Sequence, residues 1–150
     1  MSEELATLLA ERAIARALAQ FARAMDERDW AALDELLVAE ATADFGTGPV
    51  AGRAAIIALM RSYLDDCGPT QHLLGNLTVE VTGAEARSRC YVADLHLGVG
   101  DKAHLTFRTL GEYQDRWQQR EGRWWLVNRT KLNHAHLGSF EVLGAGPARA

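Results

Sequence analysis

The residues of this chain that are best suited to acid–base chemistry are an aspartate and a histidine, Asp26 and His72. Asp26 lies in the last turn of a predicted helix, where the negative end of the helix dipole tends to raise the pKa of a carboxyl group. An imidazole that removes protons near neutral pH needs a carboxylate to fix its tautomer and stabilise its cation. The two residues are therefore a candidate catalytic pair. Each also has a structural interpretation, as an exposed acid in the charge run 26–29 and as a histidine with one satisfied hydrogen bond.

The side on which His72 projects depends on one dipeptide. Counting by twos along the predicted strand from Val79 puts the His72 side chain on the outer face of the sheet. Gly75-Asn76 lies between these two residues, and an interior glycine often marks a β-bulge, which shifts the alternation by one position. His72 is therefore expected to point inward only if the strand has a bulge at Gly75-Asn76.

Further polar side chains are candidates for the same pocket. Asp94 and His96 share one face of a predicted strand over 86–97 with small and apolar neighbours, so both could enter a cavity with His72. They could equally be a buried structural pair. Arg129 either reaches a substrate or forms an ion pair.

A metal interpretation rests on His134 and His136, because an H-x-H pattern on a strand points both imidazoles the same way. No third and fourth ligands stand at a recognisable spacing. We therefore predict no metal site and no cofactor, since the glycines form neither a G-x-G-x-x-G nor a P-loop pattern.

Hydrophobic periodicity predicts helices first and strands afterwards. Apolar residues at helical spacing indicate a long helix over 5–27, a short helix after the N-cap Asp29 and a third helix between the turn at 46–49 and the stop at 67–69. A short strand over 41–45 precedes the third helix, and four further strands form an antiparallel meander that ends with 124–132. We expect an α+β fold, a cone-shaped α+β barrel in which three N-terminal helices pack on a strongly curved, mostly antiparallel sheet around a pocket.

Composition and charge exclude several classes of function. The 150 residues, 48% of them hydrophobic, suit one domain over 1–150, with a frayed tail over 144–150. A net charge of −4 predicts no nucleic-acid or membrane partner. The N-terminus is acidic where a secretory signal is basic, and the two cysteines lack C-x-x-C spacing. We therefore expect a cytoplasmic protein.

Several segments together resemble a known family. They are 21–30, Thr70-Gln71-His72, Gly111-Glu112-Tyr113 and Gly122-Arg123-Trp124. Over about residues 8–132 the chain resembles the SnoaL-like family of the nuclear-transport-factor-2-like superfamily. Its site pattern is most similar to scytalone dehydratase and hexachlorocyclohexane dehydrochlorinase. The resemblance implies a catalytic dyad of Asp26 and His72 and, by similarity to scytalone dehydratase, a second catalytic histidine at His96.

The resemblance also indicates the pocket lining. Met25 and Phe45 stand where scytalone dehydratase has two carbonyl-polarising tyrosines, and Tyr113 falls near its pocket asparagine. These replacements argue against scytalone itself as the substrate. The predicted substrate-binding residues are Met25, Phe45, Tyr63, Asp94, Phe107, Tyr113 and Arg129.

The predicted function is that of a cofactor-independent lyase. His72 would remove an acidic C–H proton from a small cyclic or polyketide-like substrate while Asp26 holds the imidazole, and water or another small group would leave. His96, with Tyr113 or a water molecule, would donate a hydrogen bond to the carbonyl that gains negative charge. Two alternatives remain open: proton transfer without a leaving group, as in isomerisation or polyketide ring closure, and a non-catalytic domain that binds a small ligand.

Two further expectations concern the surface. Large apolar groups on the sheet face without helices, drawn from Phe107, Trp117, Trp124 and Trp125, predict a homodimer or homotrimer. The segment 139–143 follows the last strand and is expected to cap the mouth of the pocket.

Overall fold

A long N-terminal helix covers one face of a six-stranded mixed sheet in the computed structural model, which describes residues 1–147. The helices are α1 (Glu3–Glu27), a 3₁₀ helix (Trp30–Glu35) and α2 (Arg53–Leu64). The strands are β1 (Leu37–Asp44), β2 (Pro49–Ala51), β3 (Thr70–Thr82), β4 (Glu85–Leu97), β5 (Thr106–Arg120) and β6 (Arg123–Gly138). Two short 3₁₀ helices, Gly100–Lys102 and Phe140–Val142, follow β4 and β6. The α+β class predicted from the sequence is confirmed.

The first helix has clear start and stop signals. The Ser2 side chain accepts a hydrogen bond from the Leu5 backbone N–H at 3.2 Å, and acidic residues in the first turn suit the helix dipole. The helix ends where Arg28 adopts a left-handed conformation with φ of 56°. One stripe of the helix is buried against the sheet, including Ile14, Leu18, Phe21 and Met25. Asp26 therefore lies in the last helical turn, as the sequence predicted.

The sheet is open, with the order β2-β1-β6-β5-β4-β3. β1 pairs in parallel with β6, and the other neighbours are antiparallel. Several elements differ from the predicted ones. The second helix is a 3₁₀ helix that stops before Leu37, so β1 begins at Leu37 and not at residue 41. The sequence did not predict β2, because three residues are too few to show alternation. β6 extends to Gly138 and not only to residue 132, because bulges within it interrupt the alternation by which a strand is recognised in the sequence.

A β-bulge in β3 turns His72 inward. The pairs Gly75–Tyr91 and Thr78–Arg89 span three steps on β3 but two on β4, so β3 holds one extra residue at this point. The alternation changes phase there, and His72 is only 9% exposed. The condition set by the sequence, a bulge at Gly75-Asn76, is met. Leu77, which simple alternation from Val79 places inside, is 37% exposed.

A buried ion pair crosses the inner face between β5 and β6. Arg129 donates from Nε and Nη2 to the two carboxylate oxygens of Asp115, each at 2.9 Å. The guanidinium packs between the rings of Phe21 and Tyr113, 4.2 and 3.9 Å from their centroids. Both charged side chains are buried. Arg129 therefore takes the ion-pair role that the sequence left open, and not a place in the pocket lining.

The aromatic residues expected on the uncovered sheet face lie elsewhere. Phe107 and Trp117 are buried on the inner face, and the Trp117 indole N–H donates to Ser88 Oγ at 2.8 Å. Trp124 and Trp125 are partly buried against the core. The outer face instead carries an apolar patch, hereafter the outer patch, whose exposed members are Leu73, Tyr91, Leu95, Leu110, Leu132 and Leu137.

The chain after β6 returns to α2. The backbone N–H of Gly144 donates to the Tyr63 carbonyl at 2.9 Å, and that of Gly146 donates to the Ser62 carbonyl at 3.4 Å. The frayed tail predicted over 144–150 stays a prediction, and residues 148–150 lie outside the described residues. Among residues 1–147, no helix combines the length and the apolar character needed to cross a bilayer.

The buried ion pair gives a stability prediction. Replacing Arg129→Met leaves the Asp115 carboxylate buried without its partner, which typically costs about 3–5 kcal/mol. Urea unfolding followed by circular dichroism should show this loss. The double variant Asp115→Leu/Arg129→Met removes both charges and should recover much of the stability. Equal stability of the wild type and Arg129→Met would contradict the structural role of the pair.

Candidate active site

Asp26 and His72 are directly hydrogen-bonded where the end of α1 meets the start of β3. His72 Nδ1 lies 2.6 Å from Asp26 Oδ1. The backbone N–H of His72 donates to Asp26 Oδ2 at 3.0 Å, so both carboxylate oxygens face the histidine. Because a carboxylate only accepts, Nδ1 carries the proton and the neutral ring has its lone pair on Nε2.

Arg28, the residue that caps α1, fixes the surroundings of Asp26. Its guanidinium donates to the Thr70 hydroxyl at 2.8 Å, and Thr70 donates that hydroxyl proton to Asp26 Oδ1 at 3.0 Å. The same guanidinium bonds the carbonyl oxygens of Met25, Leu64 and Gly68 at 2.7, 3.0 and 3.1 Å. One side chain thus ties the ends of α1 and α2 to the start of β3, which holds Asp26 in a single orientation.

The pKa of Asp26 is shifted downward, opposite to the expectation from the helix dipole. Partial burial works to raise the pKa of this carboxyl group, but hydrogen bonds from the His72 ring and backbone, the positive charge of His72 when its ring is protonated and the Thr70 hydroxyl together hold the pKa below its usual value. Asp26 is therefore ionised at neutral pH. An ionised partner is what a histidine base requires when it becomes an imidazolium.

A second polar group lies on the neighbouring strands. Asp94 accepts hydrogen bonds from the Thr109 backbone N–H at 2.8 Å, from the Thr109 hydroxyl at 2.7 Å and from Lys131 Nζ at 2.6 Å. Lys131 also donates to Thr109 Oγ1 at 2.9 Å. Burial works to raise the pKa of Asp94, but the Lys131 ammonium and these hydrogen bonds hold the pKa below its usual value. These three residues, hereafter the Asp94–Thr109–Lys131 cluster, therefore hold an ion pair between Asp94 and Lys131 in a fixed position inside the site.

His96 is a neutral imidazole in this site. Its ring meets that of His72 edge to face with centroids 5.5 Å apart. Burial lowers the pKa of His96, against the opposing charge of Asp94. His96 Nδ1 lies 3.2 Å from the Phe107 carbonyl oxygen, which can only accept, so Nδ1 carries the proton. The free Nε2 is consequently an acceptor, and not the donor that the sequence analysis assigned to His96.

These groups line one cavity of about 370 Å³ between the helices and the inner sheet face. Its wall includes His72, His96 and the Asp94–Thr109–Lys131 cluster on the sheet side. The opposite wall is apolar and consists mainly of Met25, Phe45, Leu59, Met60, Tyr63, Leu64, Phe140 and Leu143. An apolar cavity with a few convergent polar groups is the usual form of a small-molecule site.

The cavity gathers most of the residues singled out from the sequence. Among the predicted substrate-binding residues, Met25, Phe45, Tyr63, Asp94, Phe107 and Tyr113 line it. Asp26 lies behind His72, which is the member of the pair that lines the cavity. The segment predicted to cap the pocket reaches the cavity through Phe140 and Leu143.

Sequence reasoning missed Thr109, Lys131, Asn133 and His136, which also line the cavity. The alternation of the strands could have found two of them, because Thr109 lies two positions from Phe107 and Lys131 two positions from Arg129, so each shares the inner face with that neighbour. Asn133 and His136 lie on either side of a bulge at His134, where alternation fails. The bulge also separates His134 from His136, so the H-x-H pattern does not point both rings inward.

The site also contains three groups that could act as metal ligands. Within residues 1–147, ligand atoms of His72, Asp94 and His96 lie within 4.8 Å of one another. However, both Asp94 oxygens already accept protein hydrogen bonds, one of them from the Lys131 ammonium. A cation in the cavity would be repelled by that ammonium, so the donor set suits proton transfer better than metal binding.

A helix-covered open sheet with a buried acid–base pocket defines the class of protein. The SnoaL-like domain pattern matches residues 6–130, and the chain therefore belongs to the SnoaL-like family. No curated protein matches the sequence.

Solved structures share this fold. LinA matches with a TM-score of 0.83 at 19% identity, over 97% of this chain and 100% of that chain. Hexachlorocyclohexane dehydrochlorinase LinA-type3 from Novosphingobium barchaimii matches with a TM-score of 0.81 at 17% identity, over 91% and 94%. A candidate scytalone dehydratase from Novosphingobium aromaticivorans matches with a TM-score of 0.78 at 19% identity, over 96% and 97%. At these identities the likeness establishes the NTF2-like fold alone.

The ionised Asp94 predicts a pH dependence of stability. Because its pKa is lower in the folded than in the unfolded chain, its contribution is complete above the unfolded pKa and is lost as the pH falls through the folded pKa. The stability of the wild type should therefore fall below about pH 4. Asp94→Asn should be less stable at neutral pH, since Lys131 loses its partner. Its free energy of unfolding should also fall less steeply as the pH is lowered.

Urea unfolding between pH 3 and 7 measures both effects. Asp101→Asn, at an exposed position after β4, is the matched control and should keep the wild-type slope. Parallel acid limbs for the wild type and Asp94→Asn would count against this role of Asp94.

Proposed function

We propose that this protein is a cofactor-independent lyase in which His72 is the base and Asp26 its orienting carboxylate. The observation that carries the proposal is the 2.6 Å contact between His72 Nδ1 and Asp26 Oδ1, with the histidine in the cavity wall. This arrangement fixes the tautomer that leaves Nε2 free to accept a proton. Among residues 1–147, Nε2 has no hydrogen-bond partner in competition with a substrate.

The chemistry follows from these positions. His72 Nε2 takes a proton from a carbon beside a carbonyl, and the C–H electron pair moves to the carbonyl oxygen as an enolate forms. Asp26 stabilises the imidazolium. The enolate electrons then return to form the carbon–carbon double bond, the C–O bond breaks, and the departing hydroxide takes the proton from His72 as water. The base is thereby regenerated without any cofactor.

His96 has an acceptor role in this proposal. Its Nε2 lies in the same cavity as His72 and carries no proton in the neutral ring. It accepts a hydrogen bond from the substrate hydroxyl group and so orients the leaving group towards the protonated His72. The cavity volume of about 370 Å³ fits a small cyclic or polyketide-like molecule.

Isomerisation or ring closure is the second candidate function. Two imidazoles with ring centroids 5.5 Å apart and both Nε2 atoms unprotonated could move a proton between two carbon atoms of one substrate. The dyad would serve as the base in both reactions. Product mass separates them, because elimination of water lowers the mass and isomerisation does not.

The test of the dyad uses small cyclic hydroxy ketones and polyketide fragments in deuterated water, with products analysed by mass spectrometry. Asp26→Asn and His72→Ala should each lower turnover by about a hundred- to ten-thousand-fold, because general acid–base catalysis contributes that much. Circular dichroism checks that the variants remain folded.

Matched controls are Asp101→Asn and His104→Ala, at exposed positions outside the cavity, and both should keep wild-type turnover. Wild-type rates for both dyad variants would exclude the mechanism. A folded protein that binds these compounds without converting any of them would favour the ligand-binding alternative.

We also propose that the protein is a homodimer or homotrimer assembled through the outer patch. Leu73, Ala93, Leu110 and Ala135 are consecutive cross-strand neighbours on this face. Leu73 is 60% exposed and Leu110 49% exposed, and exposed apolar patches of this kind mark association surfaces.

Light scattering coupled to size-exclusion chromatography tests the assembly. The wild type should elute as an oligomer, and Leu110→Glu should shift it to the monomer because a buried carboxylate would be desolvated there. Thr106→Glu, at an exposed position on the same strand, is the control. A monomeric wild type would refute this assembly.

A further inference from the structure

Two hydrogen-bond donors face the cavity from the same sheet side as the basic nitrogens. Tyr113 is 2% exposed and lines the cavity, and its hydroxyl group makes no hydrogen bond to another group among residues 1–147. Burial raises the pKa of Tyr113, so its hydroxyl stays protonated and can donate. No fully buried polar side-chain atom of the described residues lacks a partner, so this unpaired hydroxyl oxygen meets the open space of the cavity, where a ligand can accept its proton.

Lys131 supplies the second donor. An ammonium group has three N–H bonds, and within the described chain Lys131 Nζ uses two of them, towards Asp94 Oδ2 and Thr109 Oγ1. Its side chain is 12% exposed and lies in the cavity wall, so the third N–H is available to a ligand there. Asp94 is itself held by the Thr109 backbone N–H, which keeps the ammonium in a fixed position.

The fold brings the two donors together. Tyr113 on β5 and Lys131 on β6 are direct cross-strand partners on the inner sheet face. Side chains of directly opposite residues have Cβ atoms about 5 Å apart. Both side chains also line the same cavity, so a substrate oxygen bound between them would accept hydrogen bonds from both.

His96 cannot donate a hydrogen bond to the same substrate oxygen. As a neutral ring with its proton on Nδ1 it presents an acceptor to the cavity, and an acceptor repels a developing oxyanion. The cavity wall thus has acceptors at His72 and His96 and donors at Tyr113 and Lys131. This division matches a reaction in which a proton leaves carbon at the histidines while negative charge forms on oxygen at the two donors.

We propose that Tyr113 and Lys131 together form an oxyanion site that binds the carbonyl oxygen of the substrate and stabilises its enolate. The inference rests on the proposed lyase reaction and adds Lys131 as a catalytic residue. Donors that are fixed before the reaction and shielded from water stabilise such a charge strongly, and each typically contributes a hundred- to thousand-fold or about 3–4 kcal/mol in other enzymes. The substrate class that follows is a carbonyl compound able to form an enolate.

The test needs no knowledge of the true substrate. The probe is 4-nitrophenol, whose neutral and anionic forms absorb at different wavelengths and whose anion imitates an enolate oxygen. The wild type should bind the anion more tightly than the neutral form, by about tenfold or more, because a nearby cation and a hydrogen-bond donor favour the charged form. The readout is the pH titration of the bound probe, which should shift to lower pH.

Variants assign the shift to the two donors. Lys131→Met should abolish the preference for the anion, and Tyr113→Phe should reduce it. Lys102→Met, at an exposed position outside the cavity, is the matched control and should keep it. Because Lys131→Met leaves Asp94 buried without its partner, the double variant Asp94→Asn/Lys131→Met, which removes both charges, is the second test and should also lose the preference.

The same assay separates this inference from the dyad. Asp26→Asn should lose turnover and keep the preference for the anion, since Asp26 lies behind His72 and away from the two donors. If the wild type shows no preference, or if folded Lys131→Met or the double variant retains it, the oxyanion site is overturned while the dyad stands on its own test. A preference in the wild type combined with normal turnover in Asp26→Asn keeps the oxyanion site and removes the dyad.

Discussion

The hydrogen bond between Asp26 and His72 is the contact on which the rest of the site depends. It joins the C-terminal end of a helix to the first residues of a sheet strand, two elements more than forty positions apart in the chain. Three things must hold at once: α1 must end at the right residue, β3 must begin beside it, and the strand must turn the imidazole inward. The caps of α1, the Arg28 guanidinium and the bulge in β3 satisfy these conditions one by one.

The polar groups of the cavity divide into hydrogen-bond acceptors and hydrogen-bond donors. His72 and His96 offer the lone pairs of their Nε2 atoms, while Tyr113 offers an O–H group and Lys131 an N–H group. The apolar wall opposite them lowers the local polarity, which strengthens the electrostatic interactions inside. Arg129 differs from Lys131, because it lies outside the cavity lining and its guanidinium is paired with the Asp115 carboxylate in the core.

Sequence patterns predicted the helices and the alternating strand β4 well, because their burial follows one period throughout. The inward set on β4, from Ala86 to His96, matches simple alternation. The patterns failed where the period is interrupted, at the bulges of β3 and β6, and where an element is too short to have a period, as in β2. The role of His96 was also out of reach, since its tautomer depends on a carbonyl of the neighbouring strand.

The bulge at Gly75-Asn76 has a consequence for how this pocket can change over generations. Loss of a single codon at this point would restore uninterrupted pairing between β3 and β4 without touching any residue of the cavity. His72 would still lie opposite Asp94 and Val79 opposite Ser88, two inward positions of β4, so both halves of β3 would keep their present faces and the imidazole would stay beside Asp26. The bulge thus absorbs a one-residue difference in length between the two strands, and family members could gain or lose a residue at this point without losing the dyad.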